Sequence, residues 1–289
     1  MSVVPGRLDV IATPIGNIGD LSSRARDALA AASVVLAEDT RRTQTLLTHC
    51  GISRPLLSLH DHNEGARVTE LLERMQRGQV LALVSDAGTP LLSDPGFVLV
   101  RAAAAAGFVV RTVPGPSAIT AALSVAGLPT DRFVFEGFLP TAKGERRTAL
   151  ARLAQEPRTL VLFEAPHRIA SLLEELCEHF GAARSACIAR ELSKLHESVY
   201  RGTLAELSAR AQSDGDMARG EITVVLAGAA AAAEGDTELL ARALPLLLKD
   251  LPPARAAAIA SQLTGVPRDV AYELACRQGS APSSRPRGA

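Results

Sequence analysis

The chain has 289 residues, 47% hydrophobic and 21% charged, which is enough length and apolar content for two ordinary domains with proper cores. Lysine plus arginine number 31, as do aspartate plus glutamate, so the formal charge is zero and no global field draws the chain to nucleic acid or membrane. The four cysteines (Cys50, Cys177, Cys187, Cys276) lack C-x-x-C or metal spacing and read as reduced thiols, and no apolar run reaches the roughly 18 to 20 residues that span a bilayer.

The N-terminus lacks the charged and apolar regions of a signal peptide, so a cytoplasmic protein with no membrane partner is expected. Runs rich in Val, Leu and Ile then alternate with stretches of helical period, the pattern of a parallel sheet with crossover helices. Strands are expected at 8–13 (LDVIAT), 34–38 (VVLAE), 55–60 (PLLSLH), 80–85 (VLALVS) and 109–114 (VVRTVP), with the third placed centrally. The first helix opens with serines able to cap it, and PGFVLVRAAAAAG opens on Pro and closes on Gly, as helix ends prefer. A second series follows at 133–139, 159–165, 185–191, 198–203 and 221–228, and the single helix between its last two strands implies a mixed sheet. Residues 229–236 read as a linker, 236–279 as a helical, helix-turn-helix-like appendage, and 280–289 as a disordered tail. The expected architecture is α/β: one domain over 1–117 with a parallel five-stranded sheet, a second over 118–230 with a mixed sheet, and the small helical appendage.

In an open parallel sheet the ligand crevice lies beyond the carboxyl ends of the strands. There the chain reads PIGNIGD (14–20), DTRRT (39–43), DHNE (61–64), DAGTPLLSDPG (86–96) and PGPSA (114–118), a concentration of carboxylates, Gly and Pro that suits a rigid cradle. A dinucleotide site is excluded because Pro14 and Asn17 stand where the G-x-G-x-x-G fingerprint needs glycines, and the P-loop pattern is absent.

TPIGNIGDLSSRA, AEDTRRT, LHDHNE, VSDAGTPLLSDPG, VPGPSA, EGFLP, FEAPHR and ARELSKLHE, in this order, closely resemble the bacterial 16S ribosomal RNA cytidine 2'-O-methyltransferases, a branch of the tetrapyrrole-methylase (class III) S-adenosylmethionine enzymes. The resemblance covers roughly residues 7–228 and implies a cofactor cleft between the two α/β domains, S-adenosylmethionine as methyl donor, 16S rRNA within the small ribosomal subunit as partner, and a homodimer. It assigns the donor cradle to Asp86, Ala87, Gly88, Thr89 and Pro90, closed by Ser117 and Ala118 at a helix start and by Glu164, Ala165, Leu192, Glu221 and Ile222 from the second half. Leu192 and Ile222 read equally well as core packing.

Methylating a ribose hydroxyl needs alignment and a proton acceptor. The candidates are His60, His62, Glu64 and Asp39, with Asp61, Glu38, Lys143 and Lys194 also in view; His60 and His62 have the most suitable ordinary pKa. The H-x-H-x-E spacing lacks a third remote ligand, so no metal is expected. Asn17, Arg41, Lys143, Arg168 and Lys194 are the candidates for holding RNA, whereas Arg42 reads as a salt-bridged loop residue. The basic stretch KGERRTALARL (143–153) is either a solvated helix face or an RNA-facing one, and the C-terminal helices either pack or touch RNA. Alternatives left open are a small-molecule or tetrapyrrole methylase on the same fold and a non-catalytic ribosome-assembly module.

Overall fold

The run VLALV has no polar residue to turn toward water, and in the computed structural model, which describes residues 6–229 and 236–279, it forms a strand covered on both faces. It is β4 (Val80–Val84), in a parallel sheet with β1 (Arg7–Ile11), β2 (Val34–Ala37), β3 (Leu56–Ser58) and β5 (Val109–Val113). Leu81 and Leu83 join Leu71 and Met75 of α3 (Glu64–Gln76) and Leu99 of α4 (Phe97–Ala105) in one core. Ala82 and Val84 join Leu29 of α1 (Ser23–Ala31) and Leu47 of α2 (Thr40–His49) in the other. The two-residue period of the strand thus feeds cores on opposite faces. As expected, Ser22 caps α1, its hydroxyl accepting from the Ala25 N–H at 3.1 Å.

The strand order is β3-β2-β4-β1-β5, which corrects the expectation that the third strand is central. PLLSLH yields only three half-buried residues paired on one side with β2, while β4, apolar throughout, takes an interior place between β2 and β1. The other strands of this sheet end one or two residues short of the expected limits, because those residues already turn into the ligand-side loops.

The second sheet comprises β6 (Phe133–Phe138), β7 (Thr159–Glu164), β8 (Ser185–Arg190), β9 (Ser198–Thr203) and β10 (Ile222–Leu226), ordered β6-β7-β10-β8-β9. Only β6 and β7 run parallel, so the sheet is mixed. One face is covered by α7 (Ile169–Phe180), α8 (Leu204–Ser213) and part of α6 (Lys143–Leu153). Against the other lies α5 (Ala118–Ala126), whose Ile119, Ala122 and Leu123 meet Val161, Cys187 and Val225, together with Ile15 from the loop after β1. That shared cluster joins both halves in one compact unit ending at Gly228.

Helices α9 (Thr237–Leu247), α10 (Pro253–Thr264) and α11 (Arg268–Gly279) form a second unit with its own core of Leu240, Leu244, Ala256, Ala260, Val266 and Ala271. Their apolar stripe therefore packs among the three helices themselves. Gly265, in the left-handed region at φ +72°, ends α10 and makes the tight turn. Most of the expected linker, and the expected tail, lie outside the described residues. No helix among the described residues is long and apolar enough to cross a membrane.

Candidate active site

Parallel strands leave all their carboxyl ends on one edge, and there the loops bond to one another. The Thr13 N–H donates to the Gly88 carbonyl at 2.8 Å and the Gly88 N–H returns a bond to the Thr13 carbonyl at 3.1 Å. The Thr89 hydroxyl donates to the Pro116 carbonyl at 3.0 Å. The Asp39 N–H donates to Asp86 at 3.0 Å, and Arg42 pairs with the same carboxylate at 3.5 Å. The loops after β1, β2, β4 and β5 thereby hold the DAGTP segment in place. Gly88 sits at φ +85°, and a Cβ there would lie 3.2 Å from Ile15 and 3.7 Å from the Pro116 carbonyl oxygen. Four non-glycine residues have left-handed backbone among the described residues: Leu91 and Ser93 after β4, Glu191 and Ser193 after β8. Such strain persists where the surroundings over-determine it, and functional loops are where it collects.

Beneath the DAGTP loop lies a cavity of about 410 Å³, bounded by both halves of the chain. It brings together Asp86, Ala87, Gly88, Thr89, Ser117, Ala118, Glu164, Ala165, Glu221 and Ile222 from the expected donor set. Pro90 and Leu192 are not on its wall; Leu192 is 8% exposed, packed with Val161 and Val225. The fit to a methionine-derived sulfonium nucleoside is good on three counts. The volume suits a ligand of that size, with Phe138, Phe163 and Ile15 as apolar wall and carboxylates and hydroxyls elsewhere on the lining. Ser117 makes no side-chain cap, so first-turn amides of α5 are open to a carboxylate. The left-handed Gly88 lets bare backbone line the cavity at a point where a Cβ would crowd Ile15 and Pro116. Glu164, its side chain fully buried, is held by Arg146 at 3.2 Å and Arg168 at 2.7 Å and also accepts from the Ala165 N–H at 2.7 Å.

A second cavity of about 740 Å³ shares Asp86 with the first. Its wall comes from Thr13, Pro14 and Gly16 to Ile18, from Thr45 and His49 of α2, and from Ser193 to Leu195. Of the residues expected to hold RNA, Asn17 and Lys194 are here. Lys194 pairs with Glu191 at 2.8 Å and Glu221 at 3.3 Å, and Leu195 stands 92% exposed beside it. Arg41, Lys143 and Arg168 line neither cavity. Arg41 is bonded to Asp39 at 2.9 Å, Lys143 is exposed at the start of α6, and Arg168 is committed to Glu164. Arg42 is in a salt bridge, as expected.

The residues proposed for proton transfer are dispersed. Glu64 is 4% exposed and turned away from both cavities, its Oε1 accepting from the Leu99 N–H at 2.8 Å. Asp39 is held as a carboxylate with a pKa of about 2 by hydrogen bonds from Arg41, too weak a base to compete. His62 is exposed, with its ring 6.0 Å from that of His60. Asn63 uses its Oδ1 on the His60 N–H at 2.9 Å, so its Nδ2, 3.1 Å from His60 Nε2, is the donor to that ring nitrogen. Nε2 is thereby engaged by Asn63, and Nδ1 is buried without a hydrogen-bond partner among the described residues.

Sequence reading missed Asp94, Phe138 and Phe163, which the structure adds to the first cavity. Asp94 lay in plain view within SDPG, where Asp, Pro and Gly have a sufficient explanation as turn residues. Around it stand Glu38, Asp61 and Asp86, carboxylates from three strand ends. Burial, then the charges of Asp86 and Asp61, raise the Glu38 carboxyl above the ordinary range.

Comparison with known proteins agrees with this geometry. Residues 7–208 match the family model of tetrapyrrole (corrin/porphyrin) methylases, and residues 230–279 match that of the RsmI C-terminal HTH domain. Proteins named ribosomal RNA small subunit methyltransferase I are similar to the chain at 52% identity in Xylella fastidiosa, covering 93% of this chain and 98% of that protein. The Pseudomonas aeruginosa protein of that name is 49% identical, with 95% and 98% covered. Among solved structures, the methyltransferase CobJ superposes with a TM-score of 0.57 at 20% identity, covering 80% of this chain and 96% of that one. The uroporphyrin-III C-methyltransferase of Thermus thermophilus, solved with S-adenosylhomocysteine, gives 0.54 at 20% identity, with 77% and 97% covered. A sheet pair of this topology, a cavity between its halves and a family match over most of the chain lead to one conclusion: the chain belongs to the tetrapyrrole methylase family.

Proposed function

We propose that the chain transfers a methyl group from S-adenosylmethionine to the 2'-oxygen of a cytidine in the decoding region of 16S rRNA, acting in the cytoplasm as a homodimer on the small ribosomal subunit. The donor supplies an electrophilic methyl group; the protein supplies alignment and a path for the proton. The observation that carries the reading is the pair of cavities that meet at Asp86, one shaped for the donor and the other open and large enough for a nucleotide. The names of relatives about half identical over nearly the whole chain favour rRNA as the acceptor. The cytidine and its 2'-oxygen come from the motif resemblance. In this reading the two cavities put donor and acceptor on either side of Asp86, and Asn17 and Lys194 hold the acceptor strand.

The test supplies methyl-labelled donor with small subunits, naked 16S rRNA and a tetrapyrrole in parallel. Label on the RNA of the subunits supports the reading. Label on the tetrapyrrole alone makes the chain a small-molecule methylase, and donor binding without any turnover makes it an assembly module.

A further inference from the structure

We propose that Asp94 is the catalytic base that takes the proton from the acceptor hydroxyl, an inference that rests on the rRNA 2'-hydroxyl reading above. Asp94 lines the donor cavity in the same loop as the DAGTP cradle, and it shares that lining with Asp86, the residue at which the acceptor cavity meets the donor cavity. Its position is set by backbone: Leu91 and Ser93 are left-handed at φ +75° and +67°, and Gly96 follows at φ +125°. Ser85, 3% exposed at the end of β4, ties the start of the same loop by donating its hydroxyl to the Gly88 carbonyl at 3.2 Å. Asp39 and Asp86 each have an arginine partner, but no ion pair reaches Asp94 among the described residues.

The groups that face it are all acidic: Glu38 from the end of β2, Asp61 from the loop after β3, and Asp86 from its own loop. Arg42 is engaged by Asp86, and His60 faces Glu38. Burial first, then the charges of Glu38, Asp86 and Asp61, push the Asp94 carboxyl up to about 7. A carboxyl near neutrality exchanges protons at working pH, which an ordinary aspartate, already fully ionised and weakly basic, does poorly. The rival His60 has its Nε2 engaged by Asn63.

In the step, the 2'-oxygen bonds to the methyl carbon as the carbon–sulfur bond breaks with its electron pair left on sulfur. The hydroxyl proton passes to an oxygen of Asp94 and leaves to solvent after product release. No further reactant is needed.

Single-turnover transfer to small subunits tests this in wild type, Asp94→Asn, Asp94→Glu and His60→Ala. Asp94→Asn is expected to slow transfer by about 10² to 10⁴-fold, with donor affinity in calorimetry changed less than about threefold. Asp94→Glu should recover part of the rate, and His60→Ala should stay near wild type. The wild-type rate should rise with pH through about 7 and then level, and Glu38→Gln, which removes a negative neighbour, should move that inflection to lower pH.

A second readout needs neither donor nor RNA. A carboxyl whose folded pKa is raised keeps its proton longer than in the unfolded chain, so its contribution to stability is full below the unfolded value of 3.8 and is lost as pH rises through about 7. Asp94→Asn should therefore melt like wild type near pH 4 and several degrees higher above pH 7. Near wild-type transfer by Asp94→Asn, equal melting differences at both pH values, or a parallel collapse of donor affinity would overturn the assignment alone. If wild type leaves the subunits unlabelled, the rRNA reading falls and the inference with it.

Discussion

Gly88 shows how a single residue type can mark a binding surface. Its backbone lies at φ +85°, where a β-branched residue is a steric outlier, and the space beside it is closed by Ile15 and Pro116. Gly88→Val is expected to weaken donor binding at least tenfold in calorimetry while circular dichroism and a cooperative melt persist; unchanged affinity in the folded variant would put the donor elsewhere. The DAGTP loop stood out in the sequence through the motif resemblance, which its Gly and Pro after a buried strand suit, and the structure puts four of its five residues on the first cavity. Asp94 did not stand out, since nothing in the string SDPG says which side chain turns inward. That depends on the left-handed turns at Leu91 and Ser93, conformations these residue types rarely adopt.

At the scale of elements, strand existence followed from apolar runs, whereas strand order did not. PLLSLH and VLALVS look alike in one dimension, but β4 is paired on both sides and β3 only on one. Placing β3 in the centre also brought Glu64, at the start of the helix after it, too near the chemistry. Glu64 instead closes the first turn of α4, accepting from the Leu99 N–H inside the core. Glu64→Ala should lower stability by about 1 to 2 kcal/mol in urea denaturation, the cost of a lost cap and an orphaned buried amide. Glu64→Gln keeps the acceptor oxygen and should recover most of it. Methyl transfer per folded molecule should be unchanged in both; a hundredfold loss in a stable Glu64→Gln protein would return Glu64 to the catalytic group.

Over the whole molecule, charge balance governs how a substrate is captured. With 31 positive and 31 negative side chains the chain lacks the long-range field by which basic proteins collect free RNA, so in the proposed reading affinity is expected to come from shape matched to a folded particle. The charge balance was legible in the composition, and the motif resemblance supplied the donor. The meeting of two cavities at Asp86 needed the packed halves, which α5 and Ile15 lock together through a shared core. The function proposed for that pair of cavities turns on which atom receives the methyl group. Small subunits lacking the modification, and a short oligonucleotide of the same local sequence, are incubated with labelled donor and digested to nucleosides for chromatography. Label is expected in 2'-O-methylcytidine from the subunits and at least tenfold less from the oligonucleotide, as follows when assembled shape carries recognition. Label in a base-methylated nucleoside would rule out the 2'-oxygen, and equal labelling of both substrates would rule out recognition by shape.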